Sequence, residues 1–123
     1  MDDADSISPA DLLDLLHSAS APPIFDVRRT PAFDADSRML ASAQRGAPDD
    51  VAGWGRLIPA GQSVVVYCVY GHEVSQGVAA ALREARVNAR YLEGGITRWA
   101  ELSLPLFEKA TSETSPAPRD RAP

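Results

Sequence analysis

The chain has 123 residues, 45% hydrophobic and 24% charged, a size and balance that predict one compact core and no second catalytic domain. Its formal net charge of -5, with no basic patch to override it, argues against nucleic acid or anionic lipid as a partner. No apolar run approaches the roughly 20 residues of a membrane span, and the acidic start Met1-Asp2-Asp3-Ala4-Asp5 has the wrong sign for a signal peptide, so a cytoplasmic protein is expected.

Ser8 as N-cap, Pro9 at the first helical position and Asp11 in the first turn predict a helix that carries Leu12, Leu13, Leu15 and Leu16 and ends near Ser18. After the Ala21-Pro22-Pro23 break, Ile24-Phe25-Asp26-Val27 reads as a buried strand with its polar exit at Arg28-Arg29. From Thr30 to Ala47 the pattern is irregular and predicts a long surface excursion, with one short edge strand around Arg38 to Leu40. A modest helix from Asp49 to Leu57 places Val51, Trp54 and Ile58 on one side before the Pro59-Ala60-Gly61 turn.

Val64-Val65-Val66-Tyr67 is the clearest strand, four β-favouring residues in the pattern of a strand covered on both faces. It ends at Cys68. The next helix is signalled by Ser75 as N-cap and by Val78, Ala81, Leu82 and Ala85 at helical spacing. Ala89-Arg90-Tyr91-Leu92 follows as a short strand, and Gly94-Gly95 turns into a last helix with Ile96 and Trp99. Alternating strands and helices predict an α/β domain, a mostly parallel sheet with helices on both faces. Ser112 to Pro123 has no apolar period and is expected to be a disordered tail.

One cysteine excludes an intramolecular disulfide, and with the separated His17 and His72 it forms no metal-ligand cluster. In a parallel α/β sheet, ligands bind beyond the carboxyl ends of the strands, and Cys68 stands where the central strand gives way to a loop. The loop Val69-Tyr70-Gly71-His72-Glu73-Val74 can turn successive N–H groups toward a common centre at the positive end of the following helix. Such surroundings favour a thiolate, the nucleophilic form of a cysteine. The competing reading is that Cys68 is a small buried hydrophobe, as most free cysteines are.

These segments together resemble the rhodanese family. Phe25-Asp26-Val27-Arg28 is similar to its D-V-R segment, Val64 to Cys68 with Gly71 to its strand and active-site loop, and Leu92-Glu93-Gly94-Gly95-Ile96 with Trp99 to its L-x-G-G-x-x-x-W ending. The resemblance spans about residues 6 to 107. It implies a rhodanese-like domain over residues 1–107 with a five-stranded sheet, followed by a disordered tail over residues 108–123. It also implies sulfur transfer by double displacement. Cys68 takes sulfane sulfur from a small donor such as thiosulfate or from a protein persulfide, the amides of Val69, Tyr70, Gly71, His72, Glu73 and Val74 hold the anionic persulfide, and cyanide or a thiol removes it. No metal or organic cofactor is implied.

The chain departs from the family pattern in its loop. Many active members carry an arginine directly after the cysteine and more basic residues beyond, where this chain has Val69 and Glu73. The loop reads as seven residues, Cys68 through Val74, or as six, ending at Glu73. Seven is the length used by rhodanese-fold phosphatases and arsenate reductases, but they need an arginine six positions after the cysteine, and that position is Val74. The segment usually written H-I-P-G-A is matched only by Met39-Leu40-Ala41-Ser42-Ala43.

His72 is read either as a donor to the persulfide or as a solvated loop residue. Glu73 is expected to face solvent; if turned inward it repels thiosulfate, and Glu73→Gln then raises thiosulfate turnover. Asp26 and Arg28 read as a structural pair, with Arg28 also a candidate for the anion site, Arg29 as solvated, and Tyr70 as a residue at the pocket mouth. Three functions stay open: a sulfurtransferase, a non-catalytic binding or sensing module, and an oxyanion reductase or phosphatase.

Overall fold

The central strand organises everything around it. In the computed structural model, which describes residues 5–109, it runs over Ser63–Tyr67 and its side chains alternate between two cores. Val64 and Val66 face one side and Val65 and Tyr67 the other, all four buried, because successive strand residues point to opposite faces. Burying a valine or leucine fully contributes about 1.5–3 kcal/mol, so this alternation fixes the strand firmly between its layers.

In chain order the elements are β1 (Ser6–Ile7), α1 (Pro9–Leu16), β2 (Ile24–Asp26), α2 (Thr30–Ala35), β3 (Arg38–Leu40), β4 (Ala43–Arg45), a 3-10 turn at Pro48–Asp50, α3 (Val51–Gly55), β5 (Ser63–Tyr67), α4 (Glu73–Glu84), β6 (Asn88–Leu92), α5 (Gly95–Glu101) and β7 (Leu106–Glu108). Five strands form one sheet in the order β1-β6-β5-β2-β4, and each neighbouring pair is parallel. Leu12 of α1 with Ile96 and Trp99 of α5 cover one face; Val78, Ala79 and Leu82 of α4, with Val51 and Trp54 of α3, cover the other. The expected α/β architecture is the one observed.

The first helix begins as its sequence dictates: the Ser8 hydroxyl accepts from the Asp11 N–H at 3.1 Å, and Pro9 stands where no N–H is needed. The stretch from Thr30 to Ala47, expected to be a surface excursion, is more ordered than that. It holds α2 and supplies β4, the edge strand beside β2. The strand expected near Arg38 to Leu40 is present as β3, but it lies in a separate antiparallel pair with β7, in register Met39 to Phe107.

That pairing also corrects the expected domain end. The strand continues through Glu108, and the Lys109 N–H donates to the Ser37 carbonyl at 2.7 Å, so order extends past residue 107. The rest of the expected tail lies outside the described residues.

Helix α4 corrects a second expectation. Its N-cap is His72, not Ser75, and the Gln76 N–H donates to the His72 carbonyl at 3.0 Å as the first helical bond. The loop is therefore shorter than either reading of it, with Glu73, Val74 and Ser75 forming the first turn. Ser75 is fully buried.

Candidate functional site

The strands β2 and β5 run side by side in parallel, with Asp26 in register with Tyr67, so their carboxyl ends open on the same edge of the sheet. Beyond β5 comes Cys68, 5% exposed. It lies in a cleft of about 340 Å³ lined by Arg28, Arg29, Ala32, Val69, Tyr70, His72, Glu73 and Val74. That volume suits a small molecule.

Four of the loop's carbonyls are anchored elsewhere in the fold. Ile96 N–H donates to the Cys68 carbonyl and Thr97 N–H to the Val69 carbonyl, each at 3.0 Å, so the first turn of α5 grips the start of the loop. Gln76 holds the other end, its side-chain amide donating to the Gly71 carbonyl at 3.1 Å and its N–H to that of His72. In a trans peptide the N–H points opposite to the C=O. Anchoring these four carbonyls therefore turns the N–H groups of Val69, Tyr70, His72 and Glu73 the other way. Among the described residues, no N–H from Val69 to Ser75 donates to a protein acceptor. Unpaired donors at the start of a helix are suited to an anion.

Two glycines permit the grip. A Cβ on Gly95 would come within 2.5 Å of the Val69 carbonyl oxygen, and one on Gly71 within 2.7 Å of the Leu92 carbonyl oxygen. Both have positive φ, +60° and +76°. Gly71 is accordingly a buried packing point against the β6–α5 junction and does not line the cleft, unlike its expected companions Val69, Tyr70, His72, Glu73 and Val74.

Ser75 is the residue that sequence reasoning misplaced. Its Oγ lies 3.1 Å from the Cys68 Sγ, buried with it. The hydroxyl accepts from the thiol and, by rotating, donates to a thiolate. A serine two residues after a first helical position carries no sequence mark of this role, because the same residue reads as a cap.

Arg28 lies on the cleft wall with its guanidinium engaged. Its Nε and Nη2 bind the Asp26 carboxylate at 3.1 and 2.7 Å, Nη1 binds Asp36 at 3.0 Å, and Nη2 also reaches the Arg38 carbonyl at 2.9 Å. Burial disfavours its charge, but the bonds to Asp26 outweigh that and raise its pKa. Burial likewise acts against the Asp36 carboxylate, and the Arg38 N–H and the Arg28 guanidinium overcome it, holding that carboxyl below its ordinary value. The Tyr67 hydroxyl donates to Asp26 at 2.9 Å and accepts from the Leu40 N–H at 3.1 Å. Burial, and then the charge of Asp26, push its pKa far above the ordinary phenol value. Arg28 thus forms a structural hub with Asp26, as the pairing in sequence suggests.

Arg29, read as merely solvated, lines the cleft and faces Glu73, Nη2 to Oε2 at 3.5 Å. Glu73 is exposed, as expected, and the Tyr70 and His72 rings stand 6.1 Å apart at the mouth. Among the described residues no three His, Cys, Asp or Glu side chains are grouped to hold a metal ion, and no helix is long and apolar enough to cross a membrane.

The family described as Rhodanese-like domain matches residues 8–102. No curated protein matches the sequence. Among solved structures, the chain is similar to a rhodanese-related protein from Thermoplasma volcanium, with 23% identity, a TM-score of 0.72 and coverage of 85% of this chain and 98% of that one. It is also similar to a rhodanese-like domain protein from Staphylococcus aureus, at 21% identity and a TM-score of 0.68, covering 77% and 90% of the two chains. A protein of unknown function from Rhodopseudomonas palustris, described as a possible tyrosine phosphatase, aligns at 19% identity with a TM-score of 0.72, covering 85% and 86%. At these identities the likeness is one of fold.

Proposed function

This chain belongs to the rhodanese-like domain family, and from that membership we propose that it is a sulfurtransferase carrying sulfane sulfur as a persulfide on Cys68. The carrying observation is the loop itself: a lone thiol at the base of a small cleft, with four of the loop carbonyls tied to α5 and Gln76 and the loop N–H groups unpaired.

The chemistry follows from those groups. The Cys68 thiolate attacks the outer sulfur of a donor, a new Sγ–S bond forms, and the donor's bond to that sulfur breaks. With thiosulfate the leaving group is sulfite, and the terminal sulfur left on Cys68 carries the negative charge. The N–H groups of the loop and of the first turn of α4 are donors for that charge, and being fixed in the fold they need no reorganisation to act. Ser75 stabilises the attacking thiolate before the step. An acceptor nucleophile such as cyanide or a thiol then takes the outer sulfur and returns Cys68 to a thiolate.

Phosphate-ester chemistry fits the site less well. A transferring phosphoryl group needs cationic clamps. Val74 offers none in the first turn of α4, Arg28 is occupied by Asp26 and Asp36, and Arg29 has the Glu73 carboxylate beside it.

Intact mass after incubation with thiosulfate, polysulfide or cysteine persulfide tests the proposal. One added sulfur is expected, absent in Cys68→Ser. A thiol that reacts with alkylating agents yet gains no sulfur from any donor overturns it and leaves a binding or sensing module.

A further inference from the structure

The mouth of the Cys68 cleft is framed by one side chain of each sign. Arg29, which follows β2, and Glu73, which opens α4, come from different walls of the cleft and meet with Nη2 and Oε2 3.5 Å apart, their side chains 64% and 87% exposed. An ion pair this open to water is weakly held, so a ligand that offers each partner a new counter-charge can part it. The remaining arginine of the cleft brings no free charge, because Arg28 is bound to Asp26 and Asp36. A small dianion entering here meets an arginine already neutralised and a carboxylate beside it. A zwitterion meets a partner for each of its charges.

We propose that the sulfur donor is the hydropersulfide of an α-amino-acid thiol, its α-carboxylate bound by Arg29 and its α-ammonium by Glu73. This rests on the sulfur-carrier reading of Cys68. The two charged groups sit on one carbon, close enough to form an alternating ring of charges with the side-chain pair, and the short thiol-bearing side chain leads from them into the cleft. Its volume of about 340 Å³ accommodates a molecule of that size.

In the reaction the Cys68 thiolate attacks the outer sulfur of the hydropersulfide. The new Sγ–S bond forms as the donor's S–S bond breaks, the amino-acid thiolate leaves, and it takes up the proton that the outer sulfur releases as the loaded persulfide becomes an anion. One S–S bond replaces another, so no oxidant or reductant is consumed. Arg29 and Glu73 are specificity-determining residues in this scheme, and Cys68 is the reacting one.

The test compares loading rates by intact mass for thiosulfate and three hydropersulfides: that of L-cysteine, that of N-acetyl-L-cysteine, which lacks the ammonium, and that of cysteamine, which lacks the carboxylate. Each rate is divided by the same donor's rate with dithiothreitol to remove intrinsic reactivity. The wild-type protein is expected to favour the L-cysteine donor over each analogue by up to about fivefold, the limit for one exposed ion pair. Arg29→Gln is expected to erase the advantage over the cysteamine donor. Glu73→Gln is expected to erase the advantage over the N-acetyl donor and, by freeing Arg29, to raise loading from thiosulfate. Both side chains are exposed, so neither substitution threatens the fold. Equal loading of the wild type by all three hydropersulfides, or a preference that survives both substitutions, overturns the proposal while sulfur carriage on Cys68 stands. Failure of every donor to add sulfur overturns both.

Discussion

The ends of two neighbouring strands solve opposite problems. At the end of β2 the Asp26 carboxylate is fully buried and accepts from the Arg28 N–H and guanidinium and from the Tyr67 hydroxyl, while Arg28 spends its remaining donors on Asp36 and the Arg38 carbonyl. At the end of β5 the carbonyls of Cys68, Val69, Gly71 and His72 are satisfied and the loop N–H groups are not. The two sites share a sheet edge and a register, yet one is closed by its own side chains and the other is left open by its backbone. A network that is satisfied internally holds shape, and a set of donors without acceptors awaits a ligand.

This contrast predicts that the two ends respond differently to substitution. The largest effect is expected from Asp26→Ala, which strands the buried Arg28 charge and is expected to cost about 3–5 kcal/mol of stability in urea unfolding. Cys68→Ser, by comparison, is expected to move stability by less than about 1 kcal/mol. Equal losses for the two would erase the distinction between a structural and a functional end.

Tyr67→Phe is the intermediate case. It removes a donor from Asp26 and an acceptor from the Leu40 N–H, at an expected cost of about 1–3 kcal/mol. It also carries a pH signature. The native Tyr67 pKa is raised, so the unfolded chain loses this proton first; the contribution is complete below about pH 10 and declines as pH rises beyond it. Unfolding midpoints followed from about pH 9 to about pH 11 are expected to fall more steeply for the wild type than for the variant. The smallest effect is expected from Ser75→Ala: one hydrogen bond to sulfur, about 1 kcal/mol, or roughly a fivefold slower gain of sulfur by intact mass. A loading rate unchanged by this variant would show that the backbone donors suffice alone.

Much of this arrangement was legible in the residues. Four β-favouring residues from Val64 to Tyr67 sit in the centre of the sheet because they are apolar on both faces, each of which meets a core, and the Ser8-Pro9 start of α1 is a local matter of hydrogen bonding. Elements fixed by partners rather than by their own pattern were not legible. Ser6–Ile7 is too short to show an alternation, and Ala43-Gln44-Arg45 is a half-exposed edge held only by β2. In the site, Cys68 and most of its loop were legible, since a cysteine at a strand exit has few equivalents. Ser75 and Arg29 were not, because a hydroxyl turned inward and an arginine placed across from Glu73 depend on where α4 begins and how the β2 exit bends.

The grip of α5 on the Cys68 loop also bears on the order in which the protein is made. Cys68 and Val69 leave the ribosome well before Ile96 and Thr97, whose N–H groups anchor their carbonyls. A nascent chain that has completed β5 and α4 already holds the thiol but lacks the anchor that turns the loop's peptides. The geometry of the loop around the sulfur is in this way coupled to the synthesis of α5, which follows β5 and α4 in the chain.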